Sequence, residues 1–412
     1  MGFTITGGVS ISGGVSLSPP PSGPVNYDGN LNFGSKTVLD NAVAGYSGGF
    51  SSAWDTINSK LIVASMNYDG DAPGGALTEG YISIGSVTGN SVSYGSAVQF
   101  SDQATYGQIQ EVAVCYDSNA QKGVVVWGSN SAGTNDAGVW ARTITVTGTT
   151  CTLGTVNLII TKTETGFLKA VYDSTNNKVV VAFKCQFRVG VSDDHDGYSF
   201  VGTVSGTNIS FGSLVKFTTN KVYDMDACFD STNGKVVVAY NDFTNYAGRA
   251  QVGTVSGTSI SWGSQISVSS GQIKDPAAVY DSTEQRVVVM YRDGNDNLGK
   301  SKVGEVSGSS ITFGSAVTFN TDLYGQYHTA AYEPISKKVV TTFMQSEKGK
   351  CIVGTVSGSS ISFLTRVDLG GSEVDLQQWN TTCAVGGSAS IHVAFKNGSN
   401  SSKSTGVVAT IS

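Results

Sequence analysis

The chain has 412 residues, 14 % charged side chains and a formal net charge of −6, so it lacks the clustered cations that grip a phosphate backbone, and nucleic acid is excluded as a partner. No apolar run reaches the roughly 20 residues of a membrane helix, and no cationic stretch followed by an apolar core marks a secretory signal, so synthesis in a cytoplasm without membrane insertion is expected. The 52 glycines sit among regular apolar runs, which fits dense turns between short strands and not disorder.

The chain opens on a Gly-rich arm, residues 1–24. Phe3, Ile5, Val9, Ile11, Val15 and Leu17 are spaced by glycine, serine and threonine, and Pro19-Pro20-Pro21 ends any pairing. Such a segment folds poorly alone but has the pattern to add strands to another chain. Those six apolar residues are the expected attachment points to a partner protein. A strand follows at Leu31–Leu39, with a ring before a Gly-Ser turn (Phe33-Gly34-Ser35).

From Phe50 onward the chain repeats a unit of four strands. The first strand ends on an aromatic-acid pair: Trp54-Asp55, Tyr116-Asp117, Tyr172-Asp173, Phe229-Asp230, Tyr280-Asp281 and Tyr332-Glu333. A tight turn such as Ser174-Thr175-Asn176-Asn177 leads into a continuous β-branched second strand, as at Val179–Phe183, which should be covered on both faces. A variable loop then reaches a third strand (Val252-Gly253-Thr254-Val255), and a Ser256-Gly257-Thr258-Ser259 hairpin gives the fourth (Ile260-Ser261-Trp262-Gly263-Ser264). The ring of that fourth-strand phrase recurs at Phe33, Tyr94, Phe211, Trp262, Phe313 and Phe363, with Leu153 in its place once. Both rulers step by about 50–60 residues, the range of propeller blades. No stretch sustains a helical period.

The phase of the repeats predicts how they close. First-strand marks appear six times, with a degenerate seventh from Trp379 to Val385. Fourth-strand marks also number seven, but the first precedes any first strand, and the last unit stops on a third strand, Val407–Ile411. Leu31–Leu39 should therefore complete the last sheet, sealing a ring without exposed edges. The expectation is an all-β, seven-bladed β-propeller of four-stranded blades over residues 25–412, with the arm outside it.

Chain direction puts the short, uniform turns on one face. The variable loops (67–79, 128–138 and 185–198) and the blade connections share the other, which makes it the expected working face. Its candidate binding rings are Tyr46, Tyr106, Phe167, Tyr223, Tyr324, Tyr327 and Trp379, suited to stacking or protein contact; each has the alternative of wedging between blades. Polar residues opening the first strands should rim the channel: Glu111, Lys169, Asp224, Asp226, Asp275, His328 and Gln378. Of these, Lys169, Asp226, Asp275 and His328 join the rings as the expected binding set. Paired carboxylates can hydrolyse glycosides. These come from different blades at unknown separations, so the chain is expected to have no catalytic residues and not to be an enzyme.

Neither metal nor cofactor is expected. His195, His328 and His392 are scattered, and His392 sits in an apolar strand as a packed residue. The Asp-rich stretches 67–71, 193–197 and 293–296 lack the distal glutamate of a calcium loop and read as Asx turns. Cys115, Cys151, Cys185, Cys228, Cys351 and Cys383 lack metal spacing and read as small buried residues.

The phrase Gly253 to Ser264, together with Tyr172-Asp173-Ser174-Thr175 and the following Lys178-Val179-Val180-Val181-Ala182, resembles repeats in structural and tail-fibre-like proteins of marine bacteriophages, especially cyanophages. The opening, Met1 to Leu17, is similar to the start of small virion proteins from such phages. The likeness is strong from Ala170 to Phe363, weaker from Phe50 to Ile160 and weakest after Asp375. It implies a virion component, held to capsid or tail through its N-terminus and presenting the propeller to other virion proteins or to host-surface glycan or protein. A carbohydrate-binding module, a polysaccharide depolymerase or a bacterial adhesin is the alternative. The resemblance supplies no catalytic or binding residues.

Overall fold

Second strands such as Val236–Tyr240 and Val287–Tyr291 are valine-rich without alternation because blades stack on both of their faces, and every residue in them is essentially inaccessible. The computed structural model describes residues 31–43, 49–69, 77–130, 138–161, 164–186, 195–369, 376–385, 389–397 and 403–411. The arm, with its six expected attachment residues, lies outside them.

Seven antiparallel sheets follow one another around a ring. In the fourth blade Val222–Asp230, Lys235–Asp242 and Ala247–Ser256 pair in sequence order. The outer strand comes in two pieces, Ser259–Trp262 and Ile266–Ser269, both paired with Ala247–Ser256. The core lies between blades: Val237, Ala239 and Val252 of the fourth pack on Ala278, Tyr280 and Val289 of the fifth. The one short helix among the described residues is the turn Gln103–Tyr106, capped by Asp102, whose carboxylate accepts Thr105 N–H at 2.8 Å.

The ring closes as the repeat phase predicts. Leu31, Asn32 and Phe33 pair with Ile411, Thr410 and Ala409, so the N-terminal strand is the outer strand of the seventh sheet. Each first strand lies against those of the blades before and after it, and Leu376–Val385 of the seventh lies against Phe50–Asp55 of the first. The Gly of the repeated ring-Gly-Ser phrase explains itself here. A Cβ on Gly263 would sit 1.8 Å from the carbonyl oxygen of Ser309 at the next blade's hairpin tip, and Gly212 meets Thr258 at 1.9 Å in the same way. Gly34 meets Asn90 at 1.7 Å, which carries this contact across the joint between the seventh and first blades. His392 is fully buried at that joint, hydrogen-bonded through Nε2 to Tyr94 OH, and burial pushes its pKa down to about 3.

The acid ending each first strand ties off the turn below it. Asp230 Oδ1 accepts the N–H of Thr232 and of Asn233, both at 3.0 Å, and its Oδ2 accepts the Asn233 amide at 2.8 Å. Asp55 and Asp173 repeat the pattern. These carboxylates are buried but saturated with donors, as Asx-turn anchors.

Candidate functional site

At the opposite end of the first strands, four successive blades share a kink. Six residues before the terminal acid, Phe167, Asp224, Asp275 and Tyr327 all take φ between 49° and 55°. Each sits in a register shift against the second strand. The second blade has its shift between Ile109 and Glu111, and Glu111 is also six residues before its acid. A bulge adds a residue to one strand and re-aims side chains. Left-handed backbone at a non-glycine costs about 1–3 kcal/mol and persists where surrounding structure enforces it.

The bulges converge on the channel mouth. A cavity of about 130 Å³ is lined by Phe50, Glu111, Val112, Phe167, Leu168, Lys169, Asp224, Met225, Asp275, Pro276, Tyr327 and His328. One blade's bulge carboxyl accepts the next blade's bulge N–H: Glu111 from Phe167, Asp224 from Asp275 and Asp275 from Tyr327. A single backbone donor does not balance burial. Desolvation raises the pKa of Glu111, against Lys169 and the Phe167 N–H. It raises Asp224 as well, against the Asp275 N–H and Arg292. Asp275 is pushed up to about 7, first by burial and then by the charge of Asp224. Arg292, with Nη2 3.8 Å from Asp275 Oδ2, opposes that shift. Asp224 and Asp275 thus titrate as a linked pair.

His328 backs this pair. Its Nδ1 lies 3.0 Å from the Asp275 carbonyl, an acceptor, so Nδ1 carries the proton. Nε2 is buried with no hydrogen-bond partner. Burial lowers its pKa to about 4, which keeps the imidazole neutral at physiological pH. The mouth therefore offers two neighbouring carboxyl groups, both with raised pKa, and two aromatic walls, Phe167 and Tyr327. Such a pair can give and take a proton on one small polar ligand.

Of the expected binding residues, Phe167, Lys169, Asp275, Tyr327 and His328 line the cavity. Asp226 does not. Its Oδ2 accepts Ala278 N–H of the next blade at 2.8 Å, and Lys169 Nζ lies 3.5 Å from its Oδ1. Ser51 makes the same clasp to Val114 N–H at 2.9 Å, so Asp226 serves the joint between blades. Tyr106 is a packing wedge, edge-on to Trp127 and Trp140 at 5.9 and 5.2 Å. Tyr324 is 56 % exposed on a connection and outside the cavity lining. Tyr223 stands beside the mouth, its ring 6.3 Å from Phe167. Tyr46 and the side chains of Gln378 and Trp379 lie outside the described residues. The sequence reading missed Arg292 and Lys184, cations at the mouth ends of second strands; each breaks an apolar run, which was the available signal.

The Asp-rich loop at 293–296 is an Asx turn with its own cation. Asp293 accepts Asn295 N–H at 2.9 Å, and Lys300 Nζ reaches the carboxylates of both Asp293 and Asp296. Among the described residues no group of His, Cys, Asp or Glu is placed to hold a metal ion.

No family model and no curated protein matches the chain. Solved structures do match. The periplasmic gluconolactonase of Pseudomonas aeruginosa superposes with a TM-score of 0.53 at 10 % identity, covering 83 % of this chain and 96 % of that one. A protein from Lactobacillus plantarum gives 0.51 at 12 % identity, over 79 % and 86 %. The NanB sialidase of Streptococcus pneumoniae gives 0.49 at 12 % identity, over 91 % and 71 %. Identities this low speak for the fold alone. They still correct one expectation: the exclusion of enzymes does not stand, because a protein named as an enzyme is built on this propeller. The physical ground for that exclusion also fails, since carboxyls from different blades do meet at the mouth.

Proposed function

We propose that this protein is a carbohydrate-recognising propeller that takes a hydroxyl-rich ligand at its central mouth, where Asp224 and Asp275 move a proton on it. The observation that carries the reading is the convergence of bulges from five successive blades, which gathers Glu111, Phe167, Asp224, Asp275 and Tyr327 around one small cavity. Carboxyls and a neutral imidazole suit hydroxyl groups as donors and acceptors, and aromatic walls suit the apolar face of a sugar ring. The shared fold with a gluconolactonase is compatible with this and adds nothing about substrate.

The test is calorimetric titration of the purified protein with host-surface polysaccharide and its fragments, alongside an assay for released reducing ends or opened lactones. Asp275→Asn should keep ligand binding and lose at least tenfold in turnover, the low end of general acid–base contributions being about a hundredfold. Failure of every sugar to bind rejects the reading.

A second element concerns where the ring works. The alternating arm and the resemblance to marine phage virion proteins favour display on a particle, with the arm paired to a capsid or tail protein. Removing residues 1–24 should leave a folded ring that no longer enters particles; normal incorporation of the truncated protein rejects the arm's role.

A further inference from the structure

Beside the mouth, a row of rings leads away across the fourth blade. Phe167, which lines the cavity, is 6.3 Å from Tyr223; Tyr223 is 4.7 Å from Phe243; Phe243 is 5.2 Å from Tyr246. Exposure grows outward, to 37 % at Phe243 and 60 % at Tyr246. Large exposed rings on a short turn would ordinarily be mobile, but this turn is pinned. Asn245 N–H and its amide bond the Asp242 carboxylate at 3.0 and 2.8 Å. Phe243 N–H donates to Lys221 O, and Thr244 Oγ1 accepts Lys221 N–H, both at 2.8 Å. Tyr246 is held at φ 52°, a strained conformation for an aromatic residue.

Polar groups cover the inner end of the row and leave its outer rings open. The buried Lys184 Nζ lies over the face of Tyr223 at 5.0 Å and of Phe167 at 5.6 Å, and Tyr223 OH meets His195 Nδ1 at 3.1 Å. Rigid ring faces bordered by hydrogen-bonding groups match a pyranose, with its apolar C–H face and polar rim, and their order is already fixed before binding. The molecule's negative charge disfavours nucleic acid on the same rings.

We propose that Tyr223, Phe243 and Tyr246 form an outer subsite continuous with the mouth, so that the ligand is an extended, uncharged saccharide chain with one end in the cavity and later units stacked along the row. This rests on the mouth reading above and specifies its substrate. A single sugar would leave the row empty.

The experiment titrates the full-length protein with neutral glucan and galactan oligomers of one to six units, comparing wild type with Tyr246→Ala, Phe243→Ala and Lys169→Met. Affinity should rise with length in the wild type. Each outer-ring variant should weaken the longer oligomers about three- to tenfold, the worth of one aromatic contact, and leave the monosaccharide unchanged. Phe243→Tyr should rescue the row, which separates stacking from folding. Length-independent affinity, or outer-ring variants that bind six units as tightly as wild type, overturns the subsite and leaves the mouth reading intact. Loss of binding at every length only in Lys169→Met gives that second result. Absence of binding by all oligomers removes both.

Discussion

Two sets of carboxylates stand at opposite ends of the same strands. In the fourth blade Asp224 and Asp230 are six residues apart, roughly 20 Å along an extended strand. Asp230 is almost wholly buried, yet two backbone N–H groups and an amide surround it. Asp224 receives one backbone N–H and faces a second carboxyl, Asp275. Burial with full donor coverage makes an anchor. Partial burial with thin coverage raises the pKa instead. Residue type is the same at both ends, so the count of donors, not the presence of an acid, separates scaffold from chemistry.

Substitution should expose that difference most strongly at the turn end. Asp230→Ala strips three hydrogen bonds from a buried turn and should cost about 2–4 kcal/mol, read as a fall in the urea midpoint. Asp224→Asn at the mouth should cost no more than about 1 kcal/mol, because losing a half-buried charge beside Asp275 offsets the altered hydrogen bond. Equal losses from the two variants would break the comparison and make both sets structural.

The ring itself was legible because its signals are local and repeated. The strand-ending acids, the Gly-Ser turns and the out-of-phase Leu31–Leu39 strand each restate one geometry, and the structure follows all three. The mouth was half legible. Lys169, Asp275 and His328 announce themselves as polar residues opening apolar strands. The bulge does not: Phe167 and Tyr327 carry no glycine to mark a left-handed backbone, so the register shift that turns them inward was invisible. The distance between Asp224 and Asp275 depends on how blades pack, which no single unit encodes, and the exclusion of catalysis failed there. Rings misled for the same reason. Tyr106, in a blade connection, packs edge-on to Trp140, while Tyr223, inside a first strand, joins the row of rings. Phe243 and Tyr246 were hidden in a turn too short to be noticed among the variable loops.

The gentlest test is the pH dependence of stability, and its sign needs every shifted group near the mouth. Asp275, with a folded pKa of about 7, together with Asp224 and Glu111, also raised, holds protons in the folded state that the unfolded chain has released. Each contributes stability that is full below about pH 4 and is lost as pH rises through its folded pKa. His328 and His392 act oppositely: with folded values of about 4 and 3, they favour the unfolded state below about pH 6.5 and stop contributing above it. Lys169, Lys274 and Arg292 are the cations acting on these carboxyls. Between about pH 6.5 and 7.5 Asp275 gives up its proton in the folded state, so its contribution to stability should fall with pH by at most about 1.4 kcal/mol per unit. Asp275→Asn should flatten that slope, whereas Asp230→Asn, at the donor-rich end of the neighbouring strand, should lower the whole curve and keep its shape. A slope unchanged by Asp275→Asn would mean that the proton sits elsewhere, and the two ends of the strands would then differ in donor count without differing in chemistry.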